Sequence, residues 1–280
     1  MFKPILTKLP LTFMRMKYGF HRSNRFTTPN EQELDDSHIH SFYEIYVNVS
    51  GDVSFLVNNK LFGIKSGDII ITRPDDVHVC IINSPCIHDH FVLWFSCPTP
   101  SMLMEFIGSD DFRHIYSADE KDKDMLFSIL QGLDSSDRDN NEAARTAYIF
   151  ALIALINARH KQTAPRPADE VKIPAEMQRV LDYINENFAA IRYISDVVEN
   201  TYVSTTTLSR WFRKYIHLSP HEYLEAKKLS YARKLLDEGK SVTDVCMESG
   251  FSDCSHFISV FKKNFGITPS KYARDSKSVN

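Results

Sequence analysis

Two groups of residues in this chain have types and spacings that could do chemistry. The first is His38, His40 and Glu44 in the stretch HIHSFYEIYVNVSG, with His78 following in GDIIITRPDDVH. Three imidazoles and a carboxylate are donors that suit Zn, Mn or Fe. His88 and His90 make a further alternating pair, in CIHDHF, and are expected on the surface or at a strand edge. The second group is mostly polar and basic: Thr205, Thr206, Ser209, Arg210 and Arg213 in one segment, and Cys254, Ser255, Ile258, Ser259 and Lys262 in another. Arg210 can fork two hydrogen bonds to O6 and N7 of a guanine, worth about 1–3 kcal/mol of discrimination between bases.

The elements that must hold the second group are helices. The segment ISDVVENTYVSTTTLSRWFRKYI reads as a short helix capped by Ser195, with Val197 and Val198 inward, then a turn around Asn200 to Val203. A second helix starts at Ser204 and carries Leu208, Trp211 and Phe212 inward. A turn of that length is the one a helix-turn-helix uses, and it leaves Thr205, Thr206, Ser209, Arg210 and Arg213 facing a groove. The segment SVTDVCMESGFSDCSHFISVFKKNFG repeats the arrangement further along. Val245 and Cys246 point inward, Gly250 suits a left-handed C-cap, and a helix capped by Ser252 or Asp253 buries Phe257 and Phe261. Between the units, SPHEYLEAKKLSYARKLLDEG predicts a helix of roughly 16 residues, about 24 Å long. Such a spacer can hold two recognition helices one turn of DNA apart, about 34 Å, so that one subunit reads two successive major grooves.

The first group sits in a different kind of chain. Residues 38–97 consist of short β-branched and aromatic runs such as YEIYVNV, VSFLV, GDIIIT and HFVLWF, punctuated by Gly51, Asn58-Asn59, Gly67 and Pro74. These predict strands. The segment NEAARTAYIFALIALINARHK is a helix that is apolar on several sides and must bury more than one of them, either on its own domain or against a second copy of the chain. HKQTAPRPADEVKIP, with three prolines, reads as a linker. The expected organisation is a β-rich domain over 1–160, a linker over 161–173, and an all-α domain over 174–280.

At 280 residues the chain suits two domains, each able to bury its own core. No apolar run approaches the ~18 residues of a membrane span. The start MFKPILTKLPLTFMRMKYGF spreads Lys8, Arg15 and Lys17 through its apolar stretch, so a cytoplasmic protein is expected. The five cysteines show no C-x-x-C pairing, which supports neither a disulfide framework nor a zinc finger, and they are expected as thiols. The net charge of −3 hides an asymmetry: residues 171–280 hold 16 Lys and Arg against 13 Asp and Glu, and the remainder is net negative. Only the C-terminal part is suited to a phosphate backbone.

From Met177 to Tyr272 the chain resembles the DNA-binding domain of the AraC/XylS family of bacterial regulators, most clearly in the tail GFSDCSHFISVFKKNFGITPSKYA. Gly250, Phe251, Phe257, Phe261, Lys262, Phe265, Gly266, Pro269 and Tyr272 stand where that family has them. The resemblance implicates Thr206, Ser209 and Arg210 of the first unit and Cys254, Ser255, Ile258 and Ser259 of the second in base contact. Ile258 departs from the family's usual small polar residue, and Lys228 stands where an arginine is usual, which puts a bidentate bond there in doubt.

The H-x-H-x3-E-x6-G run looks like the first cupin motif, and Gly67, Pro74 and His78 resemble the second imperfectly. In a cupin barrel the two histidines share one face of a strand. The resemblance therefore implies an α+β two-domain protein: an N-terminal cupin-like β-barrel with helices, and a C-terminal all-α domain with two helix-turn-helix motifs. AraC-type sensor barrels commonly keep this run while binding a small effector, so no cofactor is expected, and His38, His40, Glu44 and His78 are the donors if a metal is held. Phe42, Tyr43, Tyr46, Arg73 and Trp94 are the candidate effector contacts, the effector itself being a sugar or related metabolite.

The expected function is a ligand-responsive, sequence-specific DNA-binding regulator. It is not an enzyme; its partners would be double-stranded DNA, RNA polymerase as for an activator, and a second copy of itself. The alternative is a metal-dependent cupin enzyme fused to a DNA-binding domain.

Overall fold

The computed structural model describes residues 17–29, 37–38, 42–74, 76–96, 105–109, 112–162, 171 and 173–277. Its strands are β1 (Lys17–Thr27), β2 (Ser37–His38), β3 (Tyr43–Ser50), β4 (Val53–Val57), β5 (Lys60–Ile64), β6 (Asp68–Thr72), β7 (His78–Ile82), β8 (Cys86–Ser96) and, after the short helix α1 (Glu105–Gly108), β9 (Ile115–Ser117). They form two antiparallel sheets, in the orders β1-β8-β3-β6-β9 and β2-β7-β4-β5. The cupin-like β-barrel expected from sequence takes the form of a pair of facing sheets. Among the described residues no ladder joins their edges.

Alternation along each strand divides the residues between two environments. On the outer face of the five-stranded sheet, Ile45, Val47, Ile69, Ile71, Phe91, Leu93 and Phe95 pack against α2 (Glu120–Arg138) and α3 (Glu142–Gln162). On its inner face Tyr46, Ile70 and Val92 meet Val53, Phe55, Val57, Phe62 and Ile82 of the other sheet. The helix left open between its own domain and a second copy is α3. Ile149, Leu152, Ile153, Leu155 and Ile156 are buried within this chain, at about 1.5–3 kcal/mol each, while Ala143, Ala147, Ala154 and Ala158 remain exposed.

The helical part comprises α4 (Ala175–Asn187), α5 (Ile194–Thr201), α6 (Thr205–Tyr215), α7 (Pro220–Asp237), α8 (Val242–Glu248), α9 (Cys254–Phe265) and α10 (Pro269–Lys277). Its core continues into the back of the four-stranded sheet, where Leu56, Leu61, Val79 and Ile81 share one apolar cluster with Met177, Leu181 and Tyr223. Polar contacts concentrate at the β4–β5 turn, where Asn58 takes the positive φ of 56° that a tight hairpin needs. Asn59 Nδ2 donates to Asp182 at 2.7 Å, Gln178 Nε2 donates to the Asn59 carbonyl at 3.1 Å, and the Tyr223 hydroxyl donates to the Asn58 carbonyl. Lys227 reaches Asn58 Oδ1 at 3.4 Å, and burial lowers its pKa to about 8 against the opposing pull of Asp76. The expected linker is partly engaged as well, since Val171 N–H donates to Leu61 O on the edge strand β5. Among the described residues no helix is long and apolar enough to cross a membrane.

Candidate nucleic-acid interface

The first helix-turn-helix unit is α5, its turn and α6. The α5 start is held by Asp196 rather than by Ser195. Its carboxylate accepts from the backbone N–H groups of Tyr193 (3.0 Å) and Arg192 (2.8 Å), and those bonds hold its pKa below the usual carboxylate value. Ser204 caps α6 by accepting from Thr207 N at 3.2 Å. Val197, Leu208 and Phe212 are fully buried. Thr205, Thr206, Ser209, Arg210 and Arg213 are all exposed, so the structure brings the five onto the solvent face of one helix.

The second unit is α8, its turn and α9. Gly250 has φ +82°, and a Cβ there would stand 2.3 Å from the Ala189 carbonyl oxygen, so the close approach as well as the turn demands glycine. Asp253, of the two expected caps, is the one used, accepting from Ser255 N at 2.7 Å. Phe257 and Phe261 are buried, while Ser255, Ile258, Ser259 and Lys262 are exposed. Cys254 is half-buried and is bonded through its sulfur to the buried Cys246. Two of the five cysteines are therefore paired where thiols were expected, and the sulfur of Cys254 is drawn toward α8. Spacing gave no hint, because the pair depends on α8 meeting the first turn of α9 with Cα atoms 5.7 Å apart, inside the span a disulfide bridges.

Helix α7 joins the units. It has 18 residues, about 27 Å at 1.5 Å per residue, and starts with a capping box in which Ser219 and Glu222 each satisfy the other's backbone N–H. Lys228, buried within it, donates to Ile191 O and to Gly250 O, each at 2.7 Å. Ile191 leads into the first unit and Gly250 turns the second, so one ammonium holds both. The two acceptors are separate carbonyls rather than one carboxylate, which suits three tetrahedral donors as well as a guanidinium fork. Beside it a small cleft of about 70 Å³ is lined by Arg192, His221, Lys228 and His256 among others.

The interior between the two sheets carries the other candidate site. Glu44 accepts from Trp94 Nε1 at 2.8 Å, and its second oxygen is 3.6 Å from His78 Nε2. Burial works against charge on His78, but the neighbouring Glu44 carboxylate and the Asp76 carbonyl at Nδ1 outweigh it and raise its pKa. The backbone of His38 pairs with His78 in the β2–β7 ladder; the His38 side chain and the whole of His40 lie outside the described residues. Among the described residues no group of three metal-ligating side chains gathers. Of the four candidate donors, Glu44 and His78 are the two whose side chains are described, and they lie side by side.

Of the effector candidates, Tyr46 and Trp94 belong to the inner cluster, and Phe42 meets Trp94 edge-on at 6.5 Å. Tyr43 instead stacks on Phe95 at 5.3 Å and packs with the outer cluster. Arg73 lies over the Phe112 ring at 4.5 Å with about half its side chain exposed. His88 and His90 correct the surface expectation: they stack on each other at 4.1 Å inside the sandwich, and the Tyr46 hydroxyl meets His88 Nε2 at 2.8 Å. The missed signal was parity, because His88 and His90 alternate in phase with Val92 and Trp94. Asn48 Nδ2, Thr72 Oγ1 and His90 Nδ1 are buried with no hydrogen-bond partner among the described residues.

Comparison with known proteins gives two family models. Residues 27–153 match an AraC-like ligand binding domain and residues 197–275 a helix-turn-helix domain. The melibiose operon regulatory protein of Escherichia coli is 23% identical over 97% of this chain and 93% of its own length. The uncharacterized HTH-type transcriptional regulator YbfI of Bacillus subtilis is 26% identical over 79% of this chain and 80% of its own. The HTH-type transcriptional activator RhaS of Escherichia coli is 24% identical, with 83% and 85% covered.

Proposed function

We propose, for a chain that belongs to the AraC family of ligand-responsive DNA-binding transcription regulators, that α6 and α9 enter two successive major grooves on one face of promoter DNA. The carrying observation is the exposed row Thr205, Thr206, Ser209, Arg210 and Arg213 on one recognition helix, with its counterpart on α9 tied to it through Lys228.

The sandwich interior is read as the effector site, and the effector as a small carbohydrate or related metabolite. Buried polar atoms are nearly always paired, and Asn48, Thr72 and His90 present three such atoms to the same interior as Tyr46 and Trp94. Polyhydroxy ligands supply donors and acceptors to such groups and apolar faces to the aromatics. The similarity to a melibiose operon regulator agrees with this choice. The four-stranded sheet lines the interior with one face and packs on the helical part with the other, so a shift of β4 or β7 reaches α4 and α7 through Asn58 and Asn59.

The remaining parts of the reading are an activator acting on RNA polymerase, a cytoplasmic homodimer, residues 1–160 as sensor and 174–280 as DNA-binding unit. The matched relatives are regulators rather than enzymes.

Arg210→Ala is the direct test. It is expected to weaken binding to operator by about 1–3 kcal/mol while leaving most binding to scrambled DNA, because it removes a base contact and keeps the other cations. A footprinting titration on both DNAs measures this. Equal weakening on the two would make Arg210 a phosphate contact and end its assignment as a base reader.

A further inference from the structure

Tyr202 is the most exposed large apolar residue of the described chain, at 95%, and it occupies the turn between α5 and α6. Its backbone is left-handed, with φ 57° and ψ 28°. A residue with a Cβ is disfavoured there by about 1–2 kcal/mol relative to its ordinary conformations. The equivalent turn residue of the second unit is Gly250, one before Phe251 as Tyr202 is one before Val203. At Gly250 the neighbouring Ala189 carbonyl forbids any side chain. At Tyr202 a bulky one is carried into solvent, with no hydrogen bond or ring contact to any described residue. Folding gains nothing from this ring, and its backbone conformation costs stability.

Position explains what the fold does not. When a helix-turn-helix docks, the first helix crosses the DNA backbone and the N-terminal end of the second enters the major groove. The turn between them then lies at the lip of the groove, level with the phosphates. Tyr202 is two residues before the α6 cap Ser204 and three before Thr205. A phenol offers a flat apolar body for a deoxyribose face and an O–H that can donate to a phosphate oxygen, one of the side-chain types that fix register on DNA without reading sequence. We propose that Tyr202 is a DNA-backbone contact that positions α6 in its groove. This rests on the reading that α6 enters the major groove.

The experiment compares full-length wild type with Tyr202→Gly and Tyr202→Phe, using the DNA fragment footprinted by the wild-type chain and a scrambled duplex. The glycine variant should unfold at the same temperature as wild type or higher, since the left-handed strain is gone. Its affinity should fall about tenfold, equivalent to about 1.4 kcal/mol, on both duplexes alike. The slope of affinity with salt should not change, because a neutral donor releases no counterion. Tyr202→Phe should lose affinity without any change in unfolding temperature, and a methylphosphonate at the contacted position should weaken wild type but not the phenylalanine variant. Wild-type affinity in either variant, or a loss that merely tracks a lowered unfolding temperature, would overturn the assignment. Arg210→Ala runs alongside: if it loses operator preference while Tyr202→Gly binds normally, the Tyr202 contact alone fails. If neither variant affects binding, the entry of α6 into the groove fails with it.

Discussion

Replacing Lys228 by Met is expected to destabilise the helical part by about 2–4 kcal/mol, because two carbonyls lose their donor at once and a buried unsatisfied polar group costs about 1–3 kcal/mol. Met keeps the length and volume of the stem, so the loss is not a cavity effect. The two contacts are short, at 2.7 Å to Ile191 O and 2.7 Å to Gly250 O, and Ile191 is buried. Part of the loss is offset, since burial disfavours the charged ammonium and lowers its pKa despite the nearby carboxylates of Asp196 and Glu225. For a domain of about 100 residues, one kcal/mol shifts the midpoint by about 4–8 °C, so a fall of ten degrees or more should be visible. The same change unties the first unit from the second. Binding to DNA with both half-sites should therefore weaken more than binding to DNA with one. Urea unfolding and a half-site titration measure the two effects. A stability loss below about 0.5 kcal/mol would mean that water or a neighbouring group satisfies both carbonyls and that Lys228 does not hold the units together.

Acid should unfold the sandwich through its histidines. Burial lowers the pKa of His88 to about 4, with Arg25 adding to the effect, and that of His90 to about 3, with His88, His21 and Arg25 adding to it. Burial likewise lowers His114. In the unfolded chain each titrates near 6.5, so between these values the unfolded state binds more protons and stability falls as the pH is lowered. The loss begins near pH 6.5 and is complete only below the folded values. At about pH 5 each of the two inner histidines accounts for about 2 kcal/mol, from 1.36 kcal/mol per unit of pKa. His78 runs the other way: its raised pKa makes its charge attraction to Glu44 a contribution present below 6.5 and lost as pH rises through the folded value. The net expectation is a loss of about 3 kcal/mol between neutral pH and about pH 5. His90→Gln should remove about two thirds of that slope, measured as the pH dependence of the unfolding midpoint. An unchanged slope in the variant would place His90 in water and undo the description of the interior.

Particular residues show how far the sequence could be read. Leu208, Phe212, Phe257 and Phe261 were assigned inward, and Arg210, Ser209, Ser255 and Lys262 outward, from spacing alone, and each is found there. Ser204 and Asp253 were named as candidate caps from residue type. The strands behaved differently. Ile45, Tyr46 and Val47 are all buried because both faces of their sheet are covered, so polarity does not alternate and the inner face cannot be told from the outer. For that reason residue pattern alone groups Tyr43 with the effector contacts although it packs outward with Phe95, and puts His88 and His90 at the surface or a strand edge although they stack inside.

By itself, then, the sequence determined the two helix-turn-helix units, their spacing and their outward faces, because helical periodicity and capping are set by residues three or four apart. Long-range packing sets which strand faces form the interior and makes the back of one sheet continue the helical core. The same holds for the single ammonium of Lys228 serving Ile191 and Gly250, for Cys246 meeting Cys254, and for the Tyr202 side chain standing clear of the other described residues. Each of those depends on groups brought together by packing and strand pairing, which the local pattern along the chain does not encode.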